Sequence, residues 1–168
     1  MSRVYSRPDG FFSGIEKSLK LYAEHLGWLH ATPKNKGDKL KGKSENKPAA
    51  RARTLPNNSI YFRMPEVGAG KYIVDLWYEV GNCKSGAMSL APVDWVDLAA
   101  YMSFSGINKT EAIMIIGMSK EYVSAINRYE DASLPAPYCL DKAVAKQQMR
   151  DRVSSQFKAL KQSVKAAQ

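Results

Sequence analysis

The chain has 168 residues, of which 45% are hydrophobic and 24% charged, and its formal net charge is +9. This length and apolar content are typical of one folded domain. No uninterrupted apolar run exceeds five residues, which is far short of a membrane span. Residues 30–54 and 139–168 carry net charges of +6 and +5, whereas residues 55–138 carry −3. We therefore expect a mildly acidic folded centre between basic segments that attract polyanions or acidic partners.

Residues 1–30 are predicted to form an N-terminal amphipathic helix that ends near Gly27. Ser13 and Glu16 have the spacing of a capping box, which marks a helix start. Apolar residues then recur at helical spacing, at Ile15, Leu19, Tyr22 and Leu26. Residues 31–56 are rich in Lys, Gly, Pro and Asn. Such a composition buries too little apolar surface to offset the entropy of ordering, so we expect a flexible basic linker.

Residues 57–138 are predicted to form a helical core domain. The segment that follows Ile60 has the pattern of a short extended stretch. From Lys71, the sequence KYIVDLWYEV has the apolar pattern of a helix that is buried on a broad face. Gly81 is predicted to stop this helix.

A second helix of the core domain is predicted after Ser89. Pro92 suits its first turn, and Asp94 and Asp97 complement the positive end of its dipole. Gly106 is predicted to end it.

The next segment is predicted to contain two helices separated by a break. Asn108, followed three residues later by Glu111, has the spacing of a helix cap. Gly117 is predicted to break the first helix, and Ser119 is predicted to cap the second. The prolines of Leu134–Tyr138 indicate a rigid extended end.

Residues 139–168 are predicted to form a basic C-terminal amphipathic helix. Its apolar residues step by four, four, three and four positions, at Met149, Val153, Phe157, Leu160 and Val164. Such a helix either packs on its own domain or pairs with a helix of a partner. The fold class predicted for the chain is all-α, a small domain of four to five short helices with a flexible basic linker and this C-terminal helix.

Residue types that carry catalytic or metal chemistry are sparse. Cys83 and Cys139 lie far apart without a His or Cys at ligand spacing, which is typical of reduced thiols in an intracellular protein. His25 and His30 have a poor spacing for two metal ligands on one helix face. The segment GAGK at Gly68 lacks the earlier glycine and the Ser or Thr of a phosphate-binding loop. We expect no enzyme activity, no metal and no cofactor.

The segment GMSKEYVSAI is similar to the turn and second helix of a helix-turn-helix. In that interpretation residues 109–130 form a DNA-binding unit, and Lys120, Ser124 and Arg128 contact DNA. Two features count against it. Ile113 stands where the crossing helices need a small residue, and the exposed face is nearly neutral, whereas phosphate binding favours a basic face. A DNA-binding regulator is therefore the alternative function.

The core domain resembles the tail assembly chaperone family of tailed bacteriophages over about residues 60–138. The shared features are an aromatic-rich segment, a glycine turn, a Trp-containing helix that follows a proline, a second glycine turn, a helix with a Glu, an M-S-x-x-Y-V helix and a proline-rich aromatic end. These elements are Leu76–Glu79, Gly86–Met88, Pro92–Tyr101, Gly106, Glu111, Met118–Val123 and Pro135–Tyr138. One departure is Thr110, where the family often has a Trp beside its Glu.

The resemblance implies a non-enzymatic protein of the host cell cytoplasm that binds the tape measure protein during tail assembly. It implies that the protein keeps this client soluble, helps to recruit tail tube subunits, and leaves before the virion matures. A homo-oligomer is expected, without cofactor or membrane, and nucleic-acid binding through the basic segments is not favoured. A further alternative is another phage-encoded protein that binds a protein partner or inhibits the host. The candidate partner-binding residues are Trp77, Trp95, Tyr101, Met118 and Tyr122.

Overall fold

The computed structural model describes residues 11–34, 49–86 and 89–141 and five further positions. These positions, all with helical backbone and exposed side chains, are Ala143, Lys146, Gln147, Arg150 and Ser154.

The chain divides into two compact units, residues 1–138 and residues 139–168. Most of the predicted C-terminal helix lies outside the described residues. So do residues 35–48, the middle of the predicted linker, and two residues of the predicted turn at Gly86–Met88.

The described part of the first unit is mostly helical, which confirms the all-α class. Its five α-helices are α1 (Phe11–His30), α2 (Arg51–Thr54), α3 (Lys71–Val80), α4 (Trp95–Ser105) and α5 (Lys109–Arg128). An antiparallel pair of two-residue strands, β1 (Lys84–Ser85) and β2 (Leu90–Ala91), lies between α3 and α4. Single 3₁₀ turns occur at Ile60–Phe62 and Gly68–Gly70.

Helices α1 and α5 run side by side in the same direction and form the centre of the unit. Their closest approach is at Gly27, where an added Cβ would lie 2.6 Å from the Cβ of Ala125 and 2.8 Å from the carbonyl oxygen of Tyr122. Beyond the two helices, Lys34 and Asp131 form a parallel β-bridge. The absence of a side chain at Gly27 therefore lets the two backbones meet.

The carboxyl ends of α1 and α5 converge on the buried side chain of Arg51, the first residue of α2. Its guanidinium donates hydrogen bonds to the carbonyl oxygens of Tyr129 at 2.5 Å and Asp131 at 3.0 Å, and a longer one to that of Trp28 at 3.5 Å. It also lies over the Trp28 ring, 5.2 Å from the centroid. These contacts explain why α2 is structured although the sequence places it at the end of a flexible linker.

Helix α3 packs on α5, contacts α1 through the hydroxyl groups of Tyr78 and Tyr22, and completes the main core. The largest fully buried side chains of the described residues are Trp77, Leu19, Ile73, Leu98, Ile115, Met118, His25, Val74 and Ser119. A second, smaller cluster surrounds Trp28 near the carboxyl ends of α1 and α5. The N-terminal helix is therefore part of the same core as the helices of residues 57–138.

The predicted break at Gly117 and the predicted cap at Ser119 are wrong, because α5 continues without interruption through both residues. A glycine in a helix interior costs about 1 kcal/mol, which the burial of α5 against the core outweighs. The hydroxyl of Ser119 is buried, donates to the carbonyl oxygen of Asn82 at 2.8 Å, and accepts from the N–H of Val93 at 2.8 Å. Ser119 therefore joins α5 to the segment that contains the hairpin of β1 and β2. Helices α1 and α5 have 20 residues each and are longer than the short helices predicted from the sequence.

Other predicted boundaries shift by a few residues. The helix after Ser89 begins at Trp95 and not at Pro92, because the side chain of Asp94 accepts from the N–H groups of Val96 and Asp97 and caps it.

Helix α1 already includes Ser13, which therefore does not cap it, and the helix continues past Gly27 to His30. The predicted extended stretch after Ile60 is a 3₁₀ turn, whose start Ser59 caps by accepting from the N–H of Tyr61.

The predicted stops at Gly81 and Gly106 are confirmed, with φ angles of 101° and 72° that favour glycine. The predicted cap at Asn108 is confirmed as a capping box with Glu111.

Gly27→Ala is expected to lower the free energy of unfolding by about 1–3 kcal/mol, the range for an overpacked core, because the new methyl group meets Ala125 and the Tyr122 carbonyl. The matched control on the same helix is Gly14→Ala, where an added Cβ has nothing within 4 Å. This control is expected to raise stability by about 0.5–1 kcal/mol through helix propensity. Chemical denaturation measures both values. Equal effects at the two glycines would contradict the close contact of α1 and α5.

Candidate functional site on helix α4

Helix α4 is the least buried of the longer helices in the described part of the chain. Among its eleven residues, all described, Leu98 is fully buried, and Tyr101 and Met102 are half-buried. The other residues are exposed although most of them are apolar. Large apolar side chains of a helix are usually buried against a core, so their exposure on α4 marks this helix as a candidate binding element.

The exposed apolar surface of this helix, called the α4 face below, consists of Trp95, Val96, Ala99, Ala100, Ser103 and Phe104. Val96 is 81% exposed and Phe104 is 76% exposed. The small residues Ala99, Ala100 and Ser103 lie between these larger ones, at helical spacing on the side away from Leu98. No charged residue occurs from Leu98 to Asn108, so the face has no formal charge along most of its length.

Polar contacts at its first turn hold α4 against the hairpin. Asp94 and Asp97 form a capping box. The ammonium of Lys84, on β1, lies 2.7 Å from a carboxylate oxygen of each of them. These contacts fix the start of α4 without covering the α4 face.

A second polar contact ties the middle of α4 to α3. The hydroxyl of Tyr101 donates a hydrogen bond to the carboxylate of Glu79, and its ring lies edge-on to Phe104, with 5.2 Å between centroids. The hydrogen bond raises the pKa of the Tyr101 hydroxyl, and burial and the nearby carboxylate charge add to the shift. Tyr101 therefore orients the aromatic end of the α4 face.

The charges at the start of α4 stabilise one another. The hydrogen bond from Lys84, followed by the backbone N–H groups of Asp97 and Val96, lowers the pKa of Asp94 to about 2. In turn, the hydrogen bonds to Asp94 and Asp97 raise the pKa of the Lys84 ammonium. Both groups are consequently charged at neutral pH, and the helix start stays capped.

The structure separates the five residues predicted to bind a partner. Trp77, Met118 and Tyr122 are buried in the core, and the rings of Trp77 and Tyr122 meet edge-on with 5.6 Å between centroids. Trp95, 46% exposed, and the half-buried Tyr101 lie on α4. The choice of large apolar residues from the sequence therefore selected two residues of the exposed helix and three of the core.

Sequence reasoning missed Val96 and Phe104, the most exposed large hydrophobic side chains of the described residues. The sequence feature that could have identified them is the run of uncharged residues after Asp97, because it leaves most of the helix without a charged face. That pattern indicates an element whose outer side meets another apolar surface.

The residues of the DNA-binding alternative lie on one uninterrupted helix. Residues 109–128 form α5, so the turn that a helix-turn-helix needs is absent between Lys109 and Arg128. Lys120 and Ser124 are exposed. The Arg128 guanidinium is paired with Glu24 at 2.7 Å and with Glu121 at 3.2 Å.

The two histidines have structural partners. The Nε2 of His25 lies 2.8 Å from the carbonyl oxygen of Tyr61, and the Nδ1 of His30 lies 2.7 Å from the hydroxyl oxygen of Tyr122. Burial lowers the pKa of both imidazoles. In the part of the chain that the structure describes, no group of three or more His, Cys, Asp or Glu side chains is placed to hold a metal ion.

The helices within the described ranges include none with the length and apolar character needed to cross a membrane. Comparisons with models of protein families, with curated proteins and with solved structures found no match to this chain. The residues of the site therefore carry the functional argument.

Lys84→Met is expected to raise the pKa of Asp94 from about 2 towards 3.8, because the variant removes the strongest contact of the ionised carboxylate. The folded-state pKa lies below the unfolded value, so the cap is fully stabilising above about pH 4 and is lost as the pH falls towards 2. In the variant this loss occurs at higher pH. An NMR titration of the Asp94 carboxyl measures the shift.

Lys109→Met, which removes an exposed lysine at the start of α5, is the control and should leave the Asp94 titration unchanged. An Asp94 pKa near 2 in the Lys84 variant would show that the backbone N–H groups alone hold this carboxylate.

Proposed function

We propose that the protein is a non-enzymatic assembly chaperone of the phage tail assembly chaperone type, which binds a helical client through the α4 face. The observation that supports the proposal most is the exposed apolar surface of a helix that is well capped and uncharged along most of its length. Large exposed apolar surfaces on soluble proteins mark interaction sites. Amphipathic helices commonly bind by laying their apolar stripe on such a surface.

The shape of the α4 face suits a helical client. Ala99, Ala100 and Ser103 leave a shallow centre in which a client helix comes close to the backbone of α4. Val96 and Phe104 stand at its two ends and provide larger apolar contacts.

The size of the α4 face favours reversible binding. Eleven helical residues span about 16 Å, so the helix alone buries less than the roughly 800 Å² per partner of a stable interface. A weak contact of this kind suits a chaperone that leaves its client when assembly is complete.

The resemblance of residues 60–138 to tail assembly chaperones supports the choice of client. In this proposal the client is a helical segment of the tape measure protein, and the tail tube protein is a second partner. Helix α4 coincides with most of the resembling segment Pro92–Tyr101. The proposed setting is the host cell cytoplasm, and the proposed activity needs no cofactor.

Val96→Glu and Phe104→Glu are each expected to weaken binding to the tape measure protein at least tenfold, because each places an unpaired charge in an apolar contact. Both side chains are exposed in the free protein, so the fold should be retained, which circular dichroism checks. Overlapping fragments of the tape measure protein of the same phage serve as ligands in titration calorimetry.

Asn127→Glu adds the same charge at an exposed position of α5 and is the matched control. It should bind like the parent protein. Absence of binding by the parent to every fragment would contradict the proposed client, and equal binding by all variants would contradict the proposed surface.

A further inference from the structure

Residues 134–138, called the strap below, have the sequence Leu-Pro-Ala-Pro-Tyr and form neither a helix nor a strand. Leu134 and Ala136 pack against the smaller hydrophobic cluster, whereas the proline between them is exposed. The ring of Tyr138 meets the imidazole of His25 edge-on, with 5.7 Å between centroids. Alternate residues of the strap therefore contact the first unit, as expected of an extended segment.

The part of the first unit on which the strap packs contains a row of aromatic rings. The row consists of His25, Trp28 and Tyr61 and is called the aromatic surface below. The rings of His25 and Trp28 are stacked with 5.8 Å between centroids, and the Tyr61 ring lies 5.2 Å from that of Trp28. Several classes of domain bind proline-rich segments on surfaces lined with aromatic rings. The strap and the aromatic surface therefore have the chemistry of a peptide and its receptor within one chain.

Side-chain contacts, not backbone hydrogen bonds, hold the strap in place. Pro135 and Pro137 have no N–H to donate. Within the described residues, no backbone hydrogen bond links the strap to a helix, and the N–H of Leu134 bonds to the nearby carbonyl oxygen of Asp131 at 3.4 Å. Segments with few such bonds open locally at a lower free energy than the core does. The strap is therefore the part of this region that a competing segment can displace.

The aromatic surface also has two polar atoms that the strap leaves unpaired. The Nε2 of His25 lies 2.8 Å from the carbonyl oxygen of Tyr61, so it carries the proton of the neutral imidazole and Nδ1 is left as an acceptor. Among the described residues, neither this Nδ1 nor the indole N–H of Trp28 has a hydrogen-bond partner, although both are buried. Buried polar atoms are usually paired, and the carbonyl groups of an extended proline-rich segment form no internal hydrogen bonds. A segment that fits more closely can therefore accept the hydrogen bond of Trp28 that the strap does not accept.

We propose that the aromatic surface is a binding site for an extended segment of a partner protein with the pattern Leu-Pro-x-Pro-aromatic, and that the strap occupies this site in the free chain. The strap itself shows the chemistry of the partner. It supplies an apolar residue to the smaller cluster, two prolines that fix the backbone, and an aromatic ring to His25. None of the described residues of this cluster comes from α4, so the site is independent of the proposed function.

The covalent connection of the strap sets how tightly the partner must bind. A segment on a short connection competes at an effective concentration on the order of millimolar. The apparent Kd of the partner's segment is its intrinsic Kd divided by the fraction of chains in which the strap is open. Changes that weaken the strap are therefore expected to lower the apparent Kd for a free peptide.

A full chain with a weakened strap tests the site. Leu134→Ala combined with Tyr138→Ala is expected to bind a fluorescently labelled Leu-Pro-Ala-Pro-Tyr peptide at least tenfold more tightly than the parent, because the competing side chains are gone. Fluorescence anisotropy measures both affinities, and circular dichroism checks the fold. Leu140→Ala, which changes an exposed leucine beyond the strap, is the control and should bind like the parent. Tyr138→Ala alone repeats the test, with a smaller gain, if the double variant does not fold.

The indole N–H resonances of the three tryptophans locate the bound peptide. In nitrogen-15 NMR spectra the resonance of Trp28 should move downfield as it gains a hydrogen bond, whereas those of Trp77 in the core and Trp95 on α4 should stay unchanged. A Leu-Ala-Ala-Ala-Tyr peptide should bind several-fold more weakly, because prolines restrict the free peptide to extended conformations. No binding by either folded variant, a shift confined to Trp95, or equal binding of the two peptides would overturn the proposal.

Discussion

The buried guanidinium of Arg51 stabilises an arrangement of helices that is otherwise unfavourable. Because α1 and α5 are parallel and adjacent, the negative ends of their dipoles and their unpaired terminal carbonyl groups come together. Arg51 places a cation there and donates to carbonyls of Trp28, Tyr129 and Asp131. Gly27 then allows the two backbones to meet one turn earlier. The position of α3 depends on this pair, because α3 packs on α5 and contacts α1 through the hydroxyl groups of Tyr78 and Tyr22.

The same arrangement explains why α4 remains peripheral. The inner faces of α1, α3 and α5 already cover one another, so the core accepts one fully buried side chain from α4, that of Leu98. Lys84 and Glu79 fix α4 at its start and its middle through polar contacts. The helix is therefore held in a defined place while its outer apolar side stays open, which is the property that a docking surface needs.

Structural features that depend on neighbouring residues were predicted well from the sequence. Contacts between distant residues determined the other features, such as the continuity of α5 through Gly117. The extent of α3, its stop at Gly81 and the cap at Asn108 depend on residues within a few positions of each other, and all three were predicted correctly. Gly117 has a local preference against helix, but burial of its neighbours and the bonds of Ser119 to distant residues override it. Three of the five residues predicted to bind a partner lie in the core, since helical spacing marks an inner face whether or not a partner exists.

Hydrogen–deuterium exchange of the full chain, measured with and without a bound tape measure fragment, distinguishes the closed core of α1 and α5 from the open face of α4. We expect slow exchange in α1 and α5 around Gly27, because their amides open only with the whole core. We expect faster exchange in α4 of the free chain, and slower exchange there once the fragment is bound. Exchange in α4 as slow as in α5 in the free chain, or protection by the fragment elsewhere while α4 is unchanged, would contradict the proposed role of α4.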